Sequence, residues 1–403
     1  MDLAWFLALK FLKEYRAQSL LTISAVAVGV SVMIFLSALI SGLQGSLIRQ
    51  TLGSQAHITV QPAEEVARPQ LEGPGLMRRI EQPEQRFLSI EGWQSTSNRL
   101  RRDPGVVEVA AGVSGNASAL RGSAERPVIV YGFDPDEFNR VIDVRSRVVA
   151  GRHEPSGSEV LIGVELARDL GIGVGDQVRL RTQTASETLV TVAGLFDLGS
   201  QQVNQRWAIL SLRGAQSLLA LPGGANIFFI RVHKIFDAEK IAQRMEAQTG
   251  LLVDSWMKTN QQLLVALKSQ SSSSYTIQFF VFLAVAMGIA SVLVVSVVQR
   301  TREIGILRAM GIKRSTIFML FVMQGAVIGL SGSIVGAFMG SGLASMFARI
   351  AKAPDGSPTF PVDLTPNLFL AAAGAATITG MLAAALPARR AARLDPVEAI
   401  RHA

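Results

Sequence analysis

Cysteine is absent from the 403 residues, which excludes thiolate metal sites, disulfides and cysteine nucleophiles and leaves the redox state of the compartment undetermined. Histidine is almost as scarce: His57, His153, His233 and His402 are scattered without ligand spacing, so no metal site is expected. No GxxxxGK[ST] segment occurs, so the chain has no P-loop for nucleotide. Gly171-Ile172-Gly173-Val174-Gly175 is half of a dinucleotide fingerprint, but it follows a helical stretch and precedes Asp176 and a strand, so it reads as a turn. Ser114-Gly115-Asn116-Ala117-Ser118 reads as a loop, since no strand-to-helix context makes a nucleophile elbow of it. Asp134, Asp136 and Glu137 match no EF-hand spacing and are explained by a helix start. No catalytic set emerges, and no resident cofactor is expected.

Charge is missing from long stretches. No Asp, Glu, Lys or Arg occurs between Arg16 and Arg49, between Lys268 and Arg300, between Arg314 and Arg349, or between Asp363 and Arg389. Each interval exceeds the ~20 apolar residues that cross a hydrocarbon core about 30 Å thick. Four transmembrane helices follow, at 17–48, 269–299, 316–348 and 364–388. Uncharged spans also argue against a proton or ion relay through the bilayer, so any work done by this chain draws its energy from elsewhere.

What is present is distributed to match. Of the net charge of +8, +7 falls in residues 1–16, 300–314 and 389–403, beside the spans. That is an orientation signal rather than a nucleic-acid footprint, and it puts both termini in the cytoplasm. Residues 1–16 gather Trp5, Leu9 and Leu12 on one face and Lys10, Lys13 and Arg16 on the other, as in an interfacial helix. A signal peptide is the alternative, but the apolar run that follows is too long and lacks a clear cleavage site.

Residues 49–268 have ordinary charge content and mixed texture, which predicts an α+β extracytoplasmic domain ending in a stalk. Strands are expected at Ala56–Gln61, Val106–Ala111, Pro127–Phe133, Gln177–Arg181, Thr188–Phe196, Ala208–Ser211 and Asn226–Val232. Helices are expected at Trp93–Arg102, Val164–Leu170, Leu212–Ala220 and Ala238–Gln248, and again from Asp254 toward the second span. Proline-rich 62–86 reads as a loop, and 349–363 as a short outer loop.

Two features stand out. The elbow at 300–315 (RTREIGILRAMGIKRS) has Thr301 to cap a helix, Glu303 near its positive end, Arg308 near its negative end and Gly311 for a left-handed stop. Ile304 and Leu307, one turn apart, make an apolar ridge suited to a groove on a soluble partner; an ordinary basic anchor loop is the alternative. In the third span, Gly325, Gly329, Gly332, Gly336 and Gly340 recur in steps of three and four, a stripe that lets a neighbouring helix approach closely. The general abundance of glycine in membrane helices is the competing explanation.

The elbow REIGILRAMG (Arg302–Gly311) and the tail PARRAARLDPVEAIR (Pro387–Arg401) resemble the hallmark segments of the FtsX-like ABC permeases, the superfamily of the MacB efflux pump and the lipoprotein-releasing LolC and LolE subunits. VYGFDPDEF at Val130–Phe138, EVLIGVELARDLGIGVGDQVRL at Glu159–Leu180, VAGLF at Val192–Phe196 and NQRWAILSL at Asn204–Leu212 extend the likeness through the middle segment. SGLQGSLIRQTLGSQAHITV at Ser41–Val60 looks more like the lipoprotein-releasing branch. The resemblance implies a porter-like plus capping external domain in the periplasm, and an inner-membrane permease paired with a second copy or a paralogue. It implies two separate ATPase subunits that bind the ATP and magnesium. By position, Arg302, Glu303, Ile304, Leu307, Arg308 and Gly311 would form the ATPase-coupling helix. A lipoprotein carrier or adaptor in the periplasm, and anionic lipid at the basic tail, are further implied partners. Tripartite efflux, and mechanical regulation of a periplasmic hydrolase, are the alternatives to lipoprotein release; a membrane-anchored enzyme or sensor lacks a catalytic set.

Overall fold

The computed structural model describes residues 10, 14, 16–63, 88–182, 186–351, 362 and 364–394. The expected interfacial helix at 1–16, the loops at 62–86 and 349–363, and the end of the tail beyond 394 therefore lie largely or wholly outside the described residues. The chain forms two compact units, Met1–Ser46 with Val265–Ala403, and Leu47–Leu264.

In chain order the helices used below are α1 (Arg16–Gly53), α2 (Trp93–Arg101), α3 (Val164–Leu170), α4 (Leu212–Leu218), α5 (Ala238–Thr249), α6 (Gln261–Gln299), α7 (Thr301–Ala309), α8 (Arg314–Ile350) and α9 (Pro366–Ala392). The strands are β1 (Ile58–Gln61), β2 (Val106–Arg121), β3 (Ala124–Phe133), β4 (Val148–Gly151), β5 (Glu159–Gly163), β6 (Gln177–Thr182), β7 (Glu187–Phe196), β8 (Trp207–Ser211), β9 (Ile227–Val232) and β10 (Leu252–Ser255).

Among the described residues, α1, α6, α8 and α9 are long and apolar enough to cross a membrane. At 1.5 Å per residue the longer ones run about 57 Å, nearly twice the hydrocarbon thickness, so α1 and α6 have turns to spare beyond a span. Hydrogen bonds lace α1 to α6 along that length. Gln18 donates to the Val292 carbonyl at 3.2 Å, Gln278 to the Ser37 hydroxyl at 3.1 Å, and Gln44 to the Ser271 hydroxyl at 2.9 Å and the Leu267 carbonyl at 3.2 Å. In hydrocarbon each such bond contributes about 0.6 kcal/mol and, being directional, fixes register more than it adds stability. Within the serine run at 271–274, Ser271 thus supplies a partner between helices, which composition alone did not reveal.

The unit Leu47–Leu264 is built on one long strand. β2 pairs with β9 over its first half and with β6 over its second, and β3 lies along its other side. The ring β2–β3–β8–β5–β7–β6 closes on itself. Alternate residues point inward, among them Val113, Ala117 and Ala119 on β2, Val128 and Val130 on β3, Val178 and Leu180 on β6, and Val190 and Val192 on β7; α3 and α4 add Leu166, Leu170, Ala215 and Leu218 to this core. The order β10–β1–β9–β2 makes a second, antiparallel layer, with Leu100 from α2 and Ile241 and Met245 from α5 packed in its core against Ile58, Val109 and Ile230.

Two expectations are corrected here. Ser114–Ser118 is strand, not loop: Ser114 pairs with Tyr131 and Ala117 with Thr182, and pairing on both sides overrides the turn-like composition. Asp254 does not begin a helix; it lies in β10, paired with Thr59 of β1, and helix starts only at Trp256, where Ser255 accepts the Lys258 amide. Strands β4, β5 and β10 were not anticipated, because runs of four or five residues carry little periodicity. Asp134 accepts the Asp136 and Glu137 amides at the start of the helix Pro135–Val141, which accounts for that acidic cluster.

His57 sits in a perturbed environment. Its Nδ1 accepts the Val232 amide at 3.1 Å, which only an unprotonated nitrogen can do. Burial, and then the neighbouring Arg231 charge, hold its pKa below the ordinary 6.5. The fold therefore favours the neutral ring while the unfolded chain takes up a proton near 6.5, so this contribution is complete above that value and is lost as pH falls toward the folded pKa. Thermal melting of the detergent-solubilised chain, followed by tryptophan fluorescence between about pH 7.5 and 5.5, is expected to show a downward drift that His57→Gln reduces. An identical drift in the variant would rule His57 out as its source.

Candidate functional site

The elbow helix α7 follows α6 after a single non-helical residue. Arg300 has φ −109° and ψ 13°, and its backbone is bonded on both sides: its amide donates to the Ser296 and Val297 carbonyls at 3.2 and 3.3 Å, and its carbonyl accepts from Ile304 at 3.0 Å. Thr301 does not cap α7, contrary to expectation. Its hydroxyl donates back to the Val297 and Val298 carbonyls at 3.2 and 2.9 Å, in the last turn of α6. Glu303 does lie in the first turn and Arg308 in the last, where they complement the helix dipole.

The C-terminal stop is built on Gly311 at φ 93°. The Ile312 amide reaches back to Leu307 at 3.2 Å and the Gly311 amide to Arg308 at 3.1 Å, the paired closure that needs a left-handed residue. Gly311→Ala is expected to cost about 1 kcal/mol locally, read as faster hydrogen exchange of the amides at 307–312; Gly311→Asn should restore most of the protection. Unchanged exchange in the alanine variant would contradict the geometry.

The burial pattern of α7 corrects the proposed ridge. Ile304 is 1% exposed and belongs to the apolar core of its unit, with Ile317, Leu320 and Phe321, so it offers no surface to a partner. Leu307 and Arg308 are half-buried. The outward face carries Arg302, Glu303, Ile306, Ala309, Met310 and Gly311. Ile306 and Met310, one turn apart and 45% and 77% exposed, are the apolar residues it presents. Of the expected pair, Ile304 is turned inward while Leu307 keeps part of its surface. Both pairs have helical spacing, and only the packing of α7 against its neighbours decides which face is left over.

The glycines of α8 meet two different helices. A Cβ on Gly325 would lie 2.3 Å from the Gly380 carbonyl oxygen and one on Gly329 2.5 Å from that of Ala376, both in α9. A Cβ on Gly332 would lie 2.6 Å from Val26 Cβ, on Gly336 2.7 Å from the Ala27 oxygen, and on Gly340 2.9 Å from the Ser31 oxygen, all in α1. The stripe is thus divided, its first two members against the fourth span and its last three against the first.

Comparison with known proteins adds the following. Residues 19–248 match the MacB-like periplasmic core domain and residues 275–396 the FtsX-like permease C-terminal domain. The lipoprotein-releasing system transmembrane protein LolC of Xylella fastidiosa is 24% identical over 413 aligned positions, covering 95% of this chain and 94% of that protein. An uncharacterized ABC transporter permease of Methanocaldococcus jannaschii is 25% identical, covering 98% of this chain and 96% of its own length. The macrolide export ATP-binding/permease protein MacB of Agrobacterium fabrum is 33% identical over 114 residues, 28% of this chain and 17% of that protein.

Proposed function

We infer that this chain, which belongs to the family of ABC transporter permeases built on a MacB-like periplasmic core and an FtsX-like permease domain, relays ATP hydrolysis by a partner subunit to its periplasmic domain. On this reading it is a multi-pass inner-membrane protein with both termini in the cytoplasm, and it performs no catalysis. Two ATPase subunits bind the ATP and magnesium, and a second permease copy or a paralogue completes the membrane part.

The outward face of α7 is the seat for the ATPase. Arg302 and Glu303 give it charge of both signs, and Ile306 and Met310 give it an apolar anchor. A helix that presents such a face beside its own buried Ile304 transmits force well, because its inner side is packed and its outer side is free.

For cargo, the reading favoured is lipoprotein release from the inner membrane. The observation that supports it is the end-to-end likeness to a LolC protein, 95% of this chain against 94% of that one, where the likeness to MacB proteins covers between 28% and 64% of the chain. Affinity purification of the solubilised chain from native membranes, with mass spectrometry of what accompanies it, tests this. An ATPase together with a lipoprotein or a periplasmic lipoprotein carrier is the expected result. An ATPase with a periplasmic adaptor and an outer-membrane channel would move the assignment to tripartite efflux, and no ATPase at all would overturn the reading of α7.

A further inference from the structure

Arg300 is 1% exposed, and among the described residues no other charged residue is buried to this degree. It sits at the non-helical residue between α6 and α7, where the backbone could swivel, yet its side chain is enclosed. It lines a small polar cavity with Gln18 and Thr22 of α1, Ser296 of α6 and Gln324 of α8. Gln324 is 4% exposed, and its Oε1 accepts no hydrogen bond within the described residues. At the same level Gln18 donates to Val292 at 3.2 Å, and the Thr22 hydroxyl donates to the Gln18 carbonyl at 2.8 Å. Three spans therefore meet around one guanidinium at the root of the elbow.

Packing alone does not require a charge there. Replacing a buried charge together with its partners by apolar residues of similar volume is often neutral or stabilising, so such a charge is explained by what it positions rather than by stability. What a guanidinium adds is five donors in a rigid fork, able to engage acceptors from several helices at once. We propose that Arg300 is the positioning residue of the elbow: it ties the root of α7 to the first and third spans, so that α7 cannot turn at its hinge without carrying them. With Ile304 buried one turn further on, the inner side of α7 is held at two points. This proposal rests on α7 being the ATPase seat, and it explains how a push on that seat reaches α1 rather than being absorbed at the break between α6 and α7.

The test uses the full chain with its co-expressed ATPase in lipid nanodiscs. Because the chain has no cysteine, spin labels go cleanly onto Ala17→Cys at the start of α1 and Lys313→Cys just past the Gly311 stop of α7, both exposed positions and both outside the face assigned to the ATPase. The expected result with Arg300 is one narrow distance distribution, the same without nucleotide and with ATP and vanadate. Arg300→Met should broaden it, leave ATPase co-purification in place, and lower ATP turnover of the complex about tenfold. A merely structural role would lower the midpoint and leave the distribution narrow, and that result overturns the proposal. Gln324→Met reports on the same junction from the opposite wall. It should broaden the distribution even if Arg300→Met fails to insert, and a narrow distribution in Gln324→Met would in that case overturn the proposal too. Failure of any ATPase to co-purify with the unsubstituted chain would sink the docking reading instead, and the label distances alone would then decide the role of Arg300.

Discussion

Gly325→Leu is expected to abolish the folded membrane unit, giving little monodisperse chain after solubilisation and no cooperative thermal transition in what remains. The reason is backbone against backbone. A Cβ at this position would stand 2.3 Å from the Gly380 carbonyl oxygen and 2.8 Å from Ala384 Cβ, and a Cβ on Gly380 would stand 2.3 Å from the Gly325 oxygen. No side chain can swing aside to admit it, so α8 and α9 would have to separate. The cost is about 4 kcal/mol or more, at the upper end of what single substitutions do. Membrane helices gain no hydrophobic driving force from one another, so close van der Waals packing is most of what holds these two together. The control lies in the same helices. Gly342 in α8 and Gly374 in α9 have nothing within 4 Å of a built Cβ. Alanine at either should be neutral or stabilising by up to about 1 kcal/mol, since it removes a glycine from a helix interior. Fluorescence-detected size exclusion with a temperature series separates these outcomes. If Gly325→Leu and Gly342→Ala behave alike, the close approach of α8 and α9 is wrong.

The second large effect concerns the elbow and comes as a contrast. Ile306→Asp combined with Met310→Asp should leave the chain folded in the membrane and release the ATPase, because both side chains are exposed in the chain alone and a charge there costs the fold little. Apolar anchors at an interface centre contribute about 2 kcal/mol or more each, so the affinity should fall by about three orders of magnitude. Ile304→Asp should do the opposite. With its side chain 1% exposed among Ile317, Leu320 and Phe321, a carboxylate there is buried without a partner, and the membrane unit itself should be lost. Co-purification of the ATPase and the yield of folded permease, measured on both variants, give a two-by-two result. Retained ATPase binding in the Ile306/Met310 variant would remove the docking face from α7.

Much of this protein was legible before any coordinates. The four uncharged runs dictate four spans, because a bilayer tolerates no unsatisfied backbone and few charges, whatever the tertiary arrangement. Gly311 marked the end of the elbow helix, since the left-handed closure there is a local requirement that the sequence meets locally. The glycine spacing at 325–340 announced close helix contacts for the same kind of reason.

What the sequence left undecided is whatever depends on which face meets what. It could not divide the glycine stripe between α9 and α1, nor turn Ile304 inward and Ile306 outward, because a helix with apolar residues on two faces has no preference until its neighbours are placed. Nor could it extend β2 through Ser114–Ser118, where pairing with β3 and β6 outweighs a composition typical of turns. Arg300 is the clearest case. In the sequence it is one basic residue among several beside a membrane span, and only the convergence of three helices around it makes it a buried junction. Local chemistry sets where elements begin and end, while the orientation of their faces is a property of the packed whole.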